Sequence, residues 1–479
     1  MISATVEEIA RVLGAQLAGS GDKAAVVTAL TADSRAVVPG ALFVALRGEH
    51  ADGHAYVAAA RVAGATAALT RHPVDDALCL IVVDPLVALG RLSRYLVDRS
   101  SAEGLRVIGI TGSVGKTSTK DLLAQLLESA GPTVAAAGNL NNELGVPLTV
   151  GRIDASTRFL VVEMGARGVG HIAYLCDIAP PRVGVVLNVG QAHVGEFGGR
   201  AAIAQAKGEL VEALPDDGWA VLNLDDPLVW AMRDRTRARI LPWSARQELQ
   251  EGVWASRLVG DTYGRYSFTL HERRDGGAEH QEGVQLQLTG RHHVPNAVAA
   301  AAAALALGVD LDQVAAALGA AAPRSRWRME LHDRSDGVTV INDSYNANPE
   351  SMRAALCTLA ELGRTGRHTW AVLGDMLELG DTAVDEHAAI GRFAAEIGVE
   401  HLVAIGEHAA QLTSAAVAAG LASARAVAVA DKPDAVAAVT AGLGPGDVVL
   451  VKASRGLALD TVADDILTAV APLPPEDPG

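Results

Sequence analysis

Short apolar runs alternate with longer amphipathic stretches between residues 105 and 323 of the chain. The apolar runs LRVIGIT, FLVVEMGA and RVGVVLNVG are continuous rather than alternating, which is typical of strands buried on both faces. The stretches between them, such as TSTKDLLAQLLESAG, have the pattern of amphipathic helices. This order of elements predicts an α/β region with a mostly parallel sheet covered by helices.

The pattern changes within and beyond this region. Residues 252–290 contain RYSFTLHER and VQLQL between turn residues, which favours a small antiparallel addition to the sheet. After residue 323, apolar runs again alternate with helical patterns, which predicts a second, Rossmann-like α/β domain. The first 104 residues contain shorter elements and predict a small α/β domain. We therefore predict three domains, at residues 1–104, 105–323 and 324–479.

Composition and charge exclude several classes of protein. A chain of 479 residues is too long for one ordinary core, and 49% hydrophobic with 20% charged residues describes a folded globular protein. The formal net charge of -16 argues against nucleic-acid binding and against anionic membranes, because both require basic surfaces. An anionic substrate must therefore be held by local groups.

The N-terminal segment, an alanine-rich segment and the cysteines indicate in which cellular compartment the protein lies. The N-terminal MISATVEEIARVLGA reads as an acidic amphipathic helix rather than a signal peptide. The alanine-rich AVAAAAAALALGV is too short and too weakly apolar to span a membrane, so we predict a packed helix there. The three cysteines lack a C-x-x-C pair, which excludes a disulfide framework or a zinc site and suits a reducing compartment. These features predict a cytoplasmic protein.

A glycine-bearing loop separates the predicted strand and helix in VIGITGSVGKTSTKDLLAQLL. The usual phosphate-binding loop reads G-x-x-x-x-G-K-[ST], and it holds phosphates with backbone N–H groups and the lysine. Gly115, Lys116 and Thr117 fit this pattern. Gly112 supplies the turn, because Ile110 occupies the first glycine position. Lys116 would reach the terminal phosphates and Thr117 would bind Mg²⁺, so the central domain is predicted to be of P-loop type.

Three further residues are candidates for chemistry near this loop. Glu163 ends the apolar run FLVVE, where a strand tip would present a carboxylate to a metal ion. His193 follows the strand pattern VGVVLNV and is either a metal ligand or a structural loop residue. Lys207 lies in the helical pattern AIAQAKGEL, and from the residues alone it reads as a surface lysine.

Several separated motifs together resemble the Mur ligase family, the ATP-dependent amide ligases of peptidoglycan precursor assembly. They are TGSVGKTS, NLNNELGVPLT, EMGARGVGHIAYL, NVGQAHVGEFG, AKGEL and NDSYNANPESM. The segment TADSRAVVPGALFVALRGEHADGHAYVAAARVAGATAAL resembles the UDP-sugar-binding domain of that family. NDSYNANPESM and NLNNELGVPLT are most similar to the members that add D-alanyl-D-alanine to UDP-N-acetylmuramoyl tripeptide.

The resemblance implies roles at matching positions. Glu163 would lie between two Mg²⁺ ions, and His193 would bind the second ion. Lys207 matches a lysine that becomes carbamylated by CO₂ or bicarbonate, which creates a metal ligand. Lys116 and Arg328 would neutralise the γ-phosphate, so the implied catalytic residues are these two with Lys207 and His193. The implied ATP-binding residues are Thr111, Gly112, Ser113, Val114, Gly115, Lys116, Thr117, Ser118, Asn296, Arg328, Asp343 and Asn346.

The resemblance also implies two substrate sites. Residues matching the UDP-sugar and tripeptide site are Ser34, Arg35, Asp52, Gly53, His54, Asn139, Asn141 and Asn142. Residues matching the dipeptide site are Lys452, Ser454 and Arg455. Two positions depart from the family pattern: Ala453 replaces the glycine of K-G-S-R, and His293 stands where asparagine or serine is more common.

The implied reaction activates a carboxylate as an acyl phosphate, which the amine of D-Ala-D-Ala then attacks. Water would have to be excluded, so we predict an open and a closed arrangement with a hinge near residues 323–328. A monomer is the family expectation. The tripeptide could end in lysine or in diaminopimelate.

Other readings stay open from the sequence. A ligase that adds the third amino acid would carry D-N-P-R when its substrate is diaminopimelate, and that motif is absent. A folylpolyglutamate-type ligase commonly shows A-H-N-P where this chain has NANP. A different class would be an ATP-binding switch without ligase activity, which has no evident need of Glu163, His193 and Lys207.

Overall fold

The computed structural model describes residues 1–48, 51–190, 199–274 and 276–469. Within these residues the strands form three larger sheets and one two-stranded ribbon. The α/β class predicted from the sequence is confirmed. None of the described helices has the length and apolar character that a membrane crossing requires.

The N-terminal part contains a five-stranded sheet in the order β2-β7-β6-β5-β4, in which only the β2–β7 pair is antiparallel among the described strands. Strands β1 and β3 form the separate ribbon. The strands are β1 (Ala4–Thr5), β2 (Gln16–Ala18), β3 (Val26–Val27), β4 (Ala29–Thr31), β5 (Ala41–Val44), β6 (Ala67–Thr70) and β7 (Cys79–Ile81). The helices are α1 (Val6–Leu13), α2 (Val57–Val62) and α3 (Pro85–Ala102).

The central part is a nine-stranded sheet of described strands in the order β16-β15-β14-β13-β12-β11-β8-β10-β9. Its pairs from β9 to β14 are parallel, whereas β14, β15 and β16 pair antiparallel, which confirms the predicted addition. The strands are β8 (Arg106–Thr111), β9 (Thr133–Ala135), β10 (Phe159–Glu163), β11 (Val183–Val186), β12 (Trp219–Asn223), β13 (Arg239–Ser244), β14 (Gly252–Gly260), β15 (Arg265–Arg273) and β16 (His280–Thr289).

Helices cover both faces of this central sheet. They are α4 (Lys116–Glu128), α5 (Gly145–Val150), α6 (His171–Ile178), α7 (Arg200–Glu212), α8 (Pro227–Trp230), α9 (His293–Ala306) and α10 (Leu311–Ala320). Helix α9 contains the alanine-rich segment, and its residues 297–305 are all buried. The prediction of a packed helix is therefore confirmed.

The C-terminal part is a six-stranded sheet of described strands in the order β17-β18-β22-β19-β20-β21, with β17 antiparallel at one edge. The strands are β17 (Glu330–Asp333), β18 (Thr339–Asn342), β19 (Thr369–Gly374), β20 (His401–Ile405), β21 (Ala426–Val429) and β22 (Val448–Lys452). The helices are α11 (Pro349–Gly363), α12 (Ala383–Glu396), α13 (Ala409–Ala418), α14 (Lys432–Thr440) and α15 (Asp460–Thr468). Short 3₁₀ helices occupy Ser34–Ala36, Gly53–Tyr56, Ala231–Arg235, Gly380–Thr382, Ser423–Arg425 and Arg455–Leu457.

The hydrophobic cores do not follow the predicted domains throughout. One core runs from Ile9 and Leu42 through Leu92 and Leu96 of α3 to Leu160 of the central sheet, so it crosses residue 104. The C-terminal sheet has separate cores on its two faces. The boundaries at residues 104 and 323 therefore stay predictions, and the structure gives the first of them no break in packing.

Candidate active site

The phosphate loop joins β8 to α4 at the carboxyl edge of the central sheet. Strand β8 lies between β10 and β11, where the order of strands changes direction, which is where ligands meet doubly wound sheets. Gly115 has φ +84°, and a Cβ atom there would lie 2.5 Å from Oδ1 of Asn296. This position therefore requires glycine both for its backbone conformation and for the approach of Asn296.

A side chain from the neighbouring strand braces this loop. Oδ1 of Asn188 accepts hydrogen bonds from the backbone N–H of Ser113 at 3.0 Å and of Val114 at 2.9 Å. Its Nδ2 donates to the carbonyl of Val114 at 3.0 Å. Sequence reasoning missed Asn188, although it lies two residues after the end of β11, at the same edge of the sheet. A polar residue just after a buried strand, at this edge of the sheet, was the signal in the sequence that could have identified it.

Lys116 folds back over the loop and donates from Nζ to the carbonyl oxygen of Gly112 at 2.8 Å. Burial lowers the pKa of Lys116, Glu163 raises it, and Arg328 lowers it again. Glu163 and Arg328 line the same cavity as Lys116, so a carboxylate and a second cation act on the lysine of the phosphate loop.

Glu163 has both oxygens in hydrogen bonds at the bottom of the cavity. The Thr117 hydroxyl donates to Oε2 and the Asn141 amide donates to Oε1, each at 2.8 Å. The carboxylate is only 2% exposed. Asn142 instead accepts the backbone N–H groups of Leu144 and Gly145 at the start of α5, so it shapes the loop.

Lys207 lies on α7 and lines the same cavity with only 6% of its surface exposed. The reading of this residue as a surface lysine is therefore wrong. Burial holds the pKa of its amine well below the usual 10.5, and the charge of Lys116 lowers it further. A neutral amine is the form that reacts with CO₂. His193 lies outside the described residues.

The C-terminal sheet supplies the opposite wall. Nζ of Lys452, at the end of β22, lies 2.7 Å from Oδ2 of Asp343, which follows the adjacent strand β18. Lys452 also donates to the carbonyl of Asn346 at 2.9 Å, and these three residues line the cavity. Burial lowers the pKa of the nearby His292 to about 4, with Asp343 raising it and Lys452 lowering it. His292 is therefore neutral at physiological pH.

Other candidates lie elsewhere in the wall or behind it. Arg455 lines the cavity and donates to Asp460 at 2.6 Å. Ser454 is 3% exposed, and its hydroxyl accepts the backbone N–H of Leu377 at 2.9 Å, so it braces a loop behind the wall. The Thr111 hydroxyl is likewise buried and donates to the carbonyl of Met164 at 2.9 Å.

The candidate UDP-sugar residues of the N-terminal part are not among the residues that line this cavity. Asp33 and Asp52 cap the two short helices that carry them, accepting from the backbone N–H of Arg35 and His54. The Arg35 guanidinium lowers the pKa of Asp33 to about 2. The Arg35 side chain is 89% exposed. Ser34 and Gly53 are the first residues of these two short helices.

One cavity of about 1220 Å³ unites the remaining candidates from both sheets. Three protein-family models match the chain over most of its length. They are "Mur ligase family, catalytic domain" at residues 26–88, "Mur ligase middle domain" at residues 110–304 and "Mur ligase, glutamate ligase domain" at residues 327–455. The chain belongs to the Mur ligase family.

Relatives of this Mur ligase cover nearly all of its length. A curated protein of Mycobacterium tuberculosis, named UDP-N-acetylmuramoyl-tripeptide--D-alanyl-D-alanine ligase, is 46% identical over 98% of both chains. The crystal structure of MurF from Acinetobacter baumannii superposes with a TM-score of 0.85 at 31% identity, covering 98% of this chain and 99% of that one. The MurF ligase of Thermotoga maritima in complex with ADP superposes with a TM-score of 0.77 at 26% identity, covering 92% and 97%.

Proposed function

We propose that this Mur ligase uses ATP to join D-alanyl-D-alanine to UDP-N-acetylmuramoyl tripeptide, releasing ADP and phosphate. The observation that carries the proposal is the single cavity in which the phosphate loop and Lys207 face Arg328, Lys452 and Arg455. Such a cavity can hold a triphosphate between two domains. The names of the relatives supply the substrates.

The residues present fit the two Mg²⁺ ions and the lysine carbamate of the proposal. The hydroxyl of Thr117 and the carboxylate of Glu163 are adjacent oxygen donors, which suit a hard cation. Burial favours the neutral amine of Lys207, which is the form that reacts with CO₂, in the same cavity. The proposed ligands of the ions are Thr117, Glu163, His193 and carbamylated Lys207. The bound ions would neutralise the charge of the phosphates.

The side chains of this Mur ligase then do the work of positioning and charge neutralisation. Lys116 and Arg328 line the same cavity and would neutralise the phosphates, which favours transfer of the γ-phosphoryl group to the tripeptide carboxylate. Phosphate is then a good leaving group for the attacking amine. Arg455 would hold the dipeptide carboxylate, because a guanidinium matches a carboxylate with two hydrogen bonds.

The proposal assigns the UDP sugar to the N-terminal part, ATP to the central part and the dipeptide to the C-terminal part. A cytoplasmic location belongs to the same proposal, because ATP and nucleotide sugars are cytoplasmic substrates. A monomeric enzyme stays the expectation from the family. Of the three residues assigned to the dipeptide site, the proposal retains Lys452 and Arg455, whereas Ser454 acts by bracing the loop at Leu377.

The test is phosphate release from ATP with UDP-N-acetylmuramoyl tripeptide and D-Ala-D-Ala supplied singly and together. The proposal expects release that requires both substrates, with a pentapeptide product identified by mass. The assay is run separately with the tripeptide that ends in lysine and with the tripeptide that ends in diaminopimelate. Release with the nucleotide sugar and a different amine would refute the assigned acceptor, and release that depends on neither would refute ligation.

A further inference from the structure

Arg328 lies between two residues whose backbone is in the left-handed region. Trp327 has φ +58° and Met329 has φ +50°, and neither is glycine. Large side chains adopt this conformation rarely, and it persists only where the surrounding structure enforces it. The contacts of residues 327–329 therefore show which neighbours hold Arg328 in its position.

Those contacts come from the loop that follows β18. The backbone N–H of Tyr345 donates to the carbonyl of Trp327 at 3.1 Å. The backbone N–H of Met329 donates to Oδ1 of Asp343, also at 3.1 Å. Both residues that flank Arg328 are thus tied to the same four-residue stretch, DSYN.

The side chain of Arg328 is held by the same loop. Its guanidinium carbon lies 4.2 Å from the centroid of the Tyr345 ring, which is a close cation–π contact. Its Nε is buried and has no hydrogen-bond partner among the described residues. Among the described residues, the Tyr345 ring is therefore a close support for the guanidinium where Nε has no acceptor.

We infer that Tyr345 is a positioning residue for phosphoryl transfer, whose ring holds the Arg328 guanidinium facing the phosphate loop. The inference rests on the proposed function, in which Arg328 meets the γ-phosphate. Tyr345 itself lines the cavity beside Arg328 and Arg455. An aromatic support leaves the outer guanidinium nitrogens to a ligand, whereas a carboxylate partner would compete with phosphate for them.

The decisive variants separate the ring from the hydroxyl. Tyr345→Phe retains the aromatic face and should keep kcat within about threefold of the wild type. Tyr345→Leu removes the face, and a misplaced Arg328 should lower kcat by about 100-fold with little change in the KM for ATP. In an Arg328→Met background, Tyr345→Leu should cause no further loss, because the ring acts through the guanidinium.

A matched control is available outside the cavity. Arg265 lies over the ring of Tyr263 at 4.9 Å, and Tyr263 is 52% exposed. Tyr263→Leu removes a similar cation–π pair and should leave kcat unchanged. Thermal melting of all variants establishes that they fold.

A second measurement does not depend on the acceptor substrates. ADP with aluminium fluoride imitates the transferring phosphoryl group, whereas ADP alone does not. Tyr345→Leu should weaken binding of ADP–aluminium fluoride by about tenfold or more and leave ADP binding unchanged, as measured by calorimetry. A wild-type enzyme without acceptor-dependent turnover would refute the proposed function, and this binding comparison would still decide the role of Tyr345.

Three outcomes would overturn the inference. Unchanged kcat and unchanged analogue binding in Tyr345→Leu would show that the ring does not position Arg328. A loss in Tyr345→Phe equal to that in Tyr345→Leu would assign the effect to the hydroxyl. Additive losses in the Arg328→Met background would show that Tyr345 acts independently of Arg328.

Discussion

At the scale of single residues, the candidate active site depends on polar groups that are buried and satisfied by one another. Glu163 shares its two oxygens between Thr117 and Asn141, which come from different elements. Asn188 satisfies the backbone of the phosphate loop from a third element. Buried polar groups that lose such partners are costly, so small substitutions here should have measurable effects on function.

Asn141→Ala should weaken Mg²⁺ binding without removing a proposed ligand. The substitution deletes the hydrogen bond to Oε1 of Glu163 and leaves the carboxylate oriented by Thr117 alone among the described residues. Loss of such an orienting contact typically costs about 10–100-fold in metal affinity, so the Mg²⁺ concentration for half-maximal phosphate release should rise by about that factor. Asn139→Ala is the control, since Asn139 lines the cavity without that contact. An unchanged Mg²⁺ dependence in Asn141→Ala would contradict the role.

Lys207→Met should strongly lower ligation activity and raise stability in bicarbonate-free buffer. Burial lowers the pKa of Lys207 in the folded state, whereas the unfolded lysine keeps a pKa of about 10.5. Between these two pKa values only the unfolded state binds the proton. The lysine therefore lowers the free energy of unfolding more and more as the pH falls through this window. Methionine removes this cost. The gain in melting temperature should therefore be larger at pH 7 than at pH 10, and activity should fall at least about 100-fold.

Exposed Lys23→Met is the control for Lys207→Met, because Lys23 pays no cost of burial. It should change neither activity nor the pH dependence of melting. A Lys207→Met variant that melts at a lower temperature than the wild type throughout this pH range would show that the buried amine stabilises the fold.

At the scale of elements, helix α4 connects several parts of the site. Its first turn carries Lys116 and Thr117, and its buried Lys120 donates to the carbonyl of Ala136 at 2.6 Å, just beyond β9. Near its other end, Gln125 exchanges two hydrogen bonds with the backbone of Ala322, at 3.0 and 3.1 Å. The alanines of α9 allow that helix to pack closely against α4, because they add little bulk.

Lys120→Met should lower the free energy of unfolding, although methionine and lysine have similar volumes. Methionine fills the space but leaves the carbonyl of Ala136 and the carboxylate of Asp121, 2.7 Å from Nζ, without their partner. We expect a loss of about 1–3 kcal/mol in the free energy of unfolding, seen as a lower urea midpoint. Lys23→Met again serves as the exposed control. An unchanged midpoint would show that water satisfies both groups after the substitution.

At the scale of the whole molecule, two elements of the central part hold the C-terminal part against the phosphate cavity. The Tyr266 hydroxyl of β15 donates to Glu361 of α11 at 3.0 Å. Arg324 pairs with Glu128 of α4 at 2.6 Å, so the connection between the sheets is anchored up to this residue. The hinge predicted at residues 323–328 should therefore act after Arg324, in the segment that leads to Arg328.

Substrates should change the overall dimensions of the enzyme about this hinge. Small-angle scattering with a non-hydrolysable ATP analogue and UDP-N-acetylmuramoyl tripeptide should give a smaller radius of gyration than scattering without ligands. Tyr266→Phe, which removes one contact between the two parts, should increase the radius of the unliganded enzyme. Identical profiles in all three cases would contradict a hinged closure and favour a rigid arrangement.

The order of strands and helices could be predicted from the sequence because the signals are local. Continuous apolar runs matched β8, β10 and β11, and helical patterns matched α4, α7 and α9, to within a few residues at each end. The phosphate loop was equally accessible, since its glycines and Lys116 are contiguous in the chain. The roles of Lys207 and Arg328 came only from the resemblance to a family, because neither lies in a diagnostic local pattern.

The amino-acid sequence alone determined the α/β class, the phosphate loop and the family of this protein, because periodicity and contiguous motifs are properties of neighbouring residues. Only the tertiary structure decided that Lys207 is buried, that Asn141 orients Glu163, and that Tyr345 supports Arg328. Each of these facts depends on contacts between residues far apart in the chain. Burial and charge then set the pKa of Lys207, a property that no local pattern encodes.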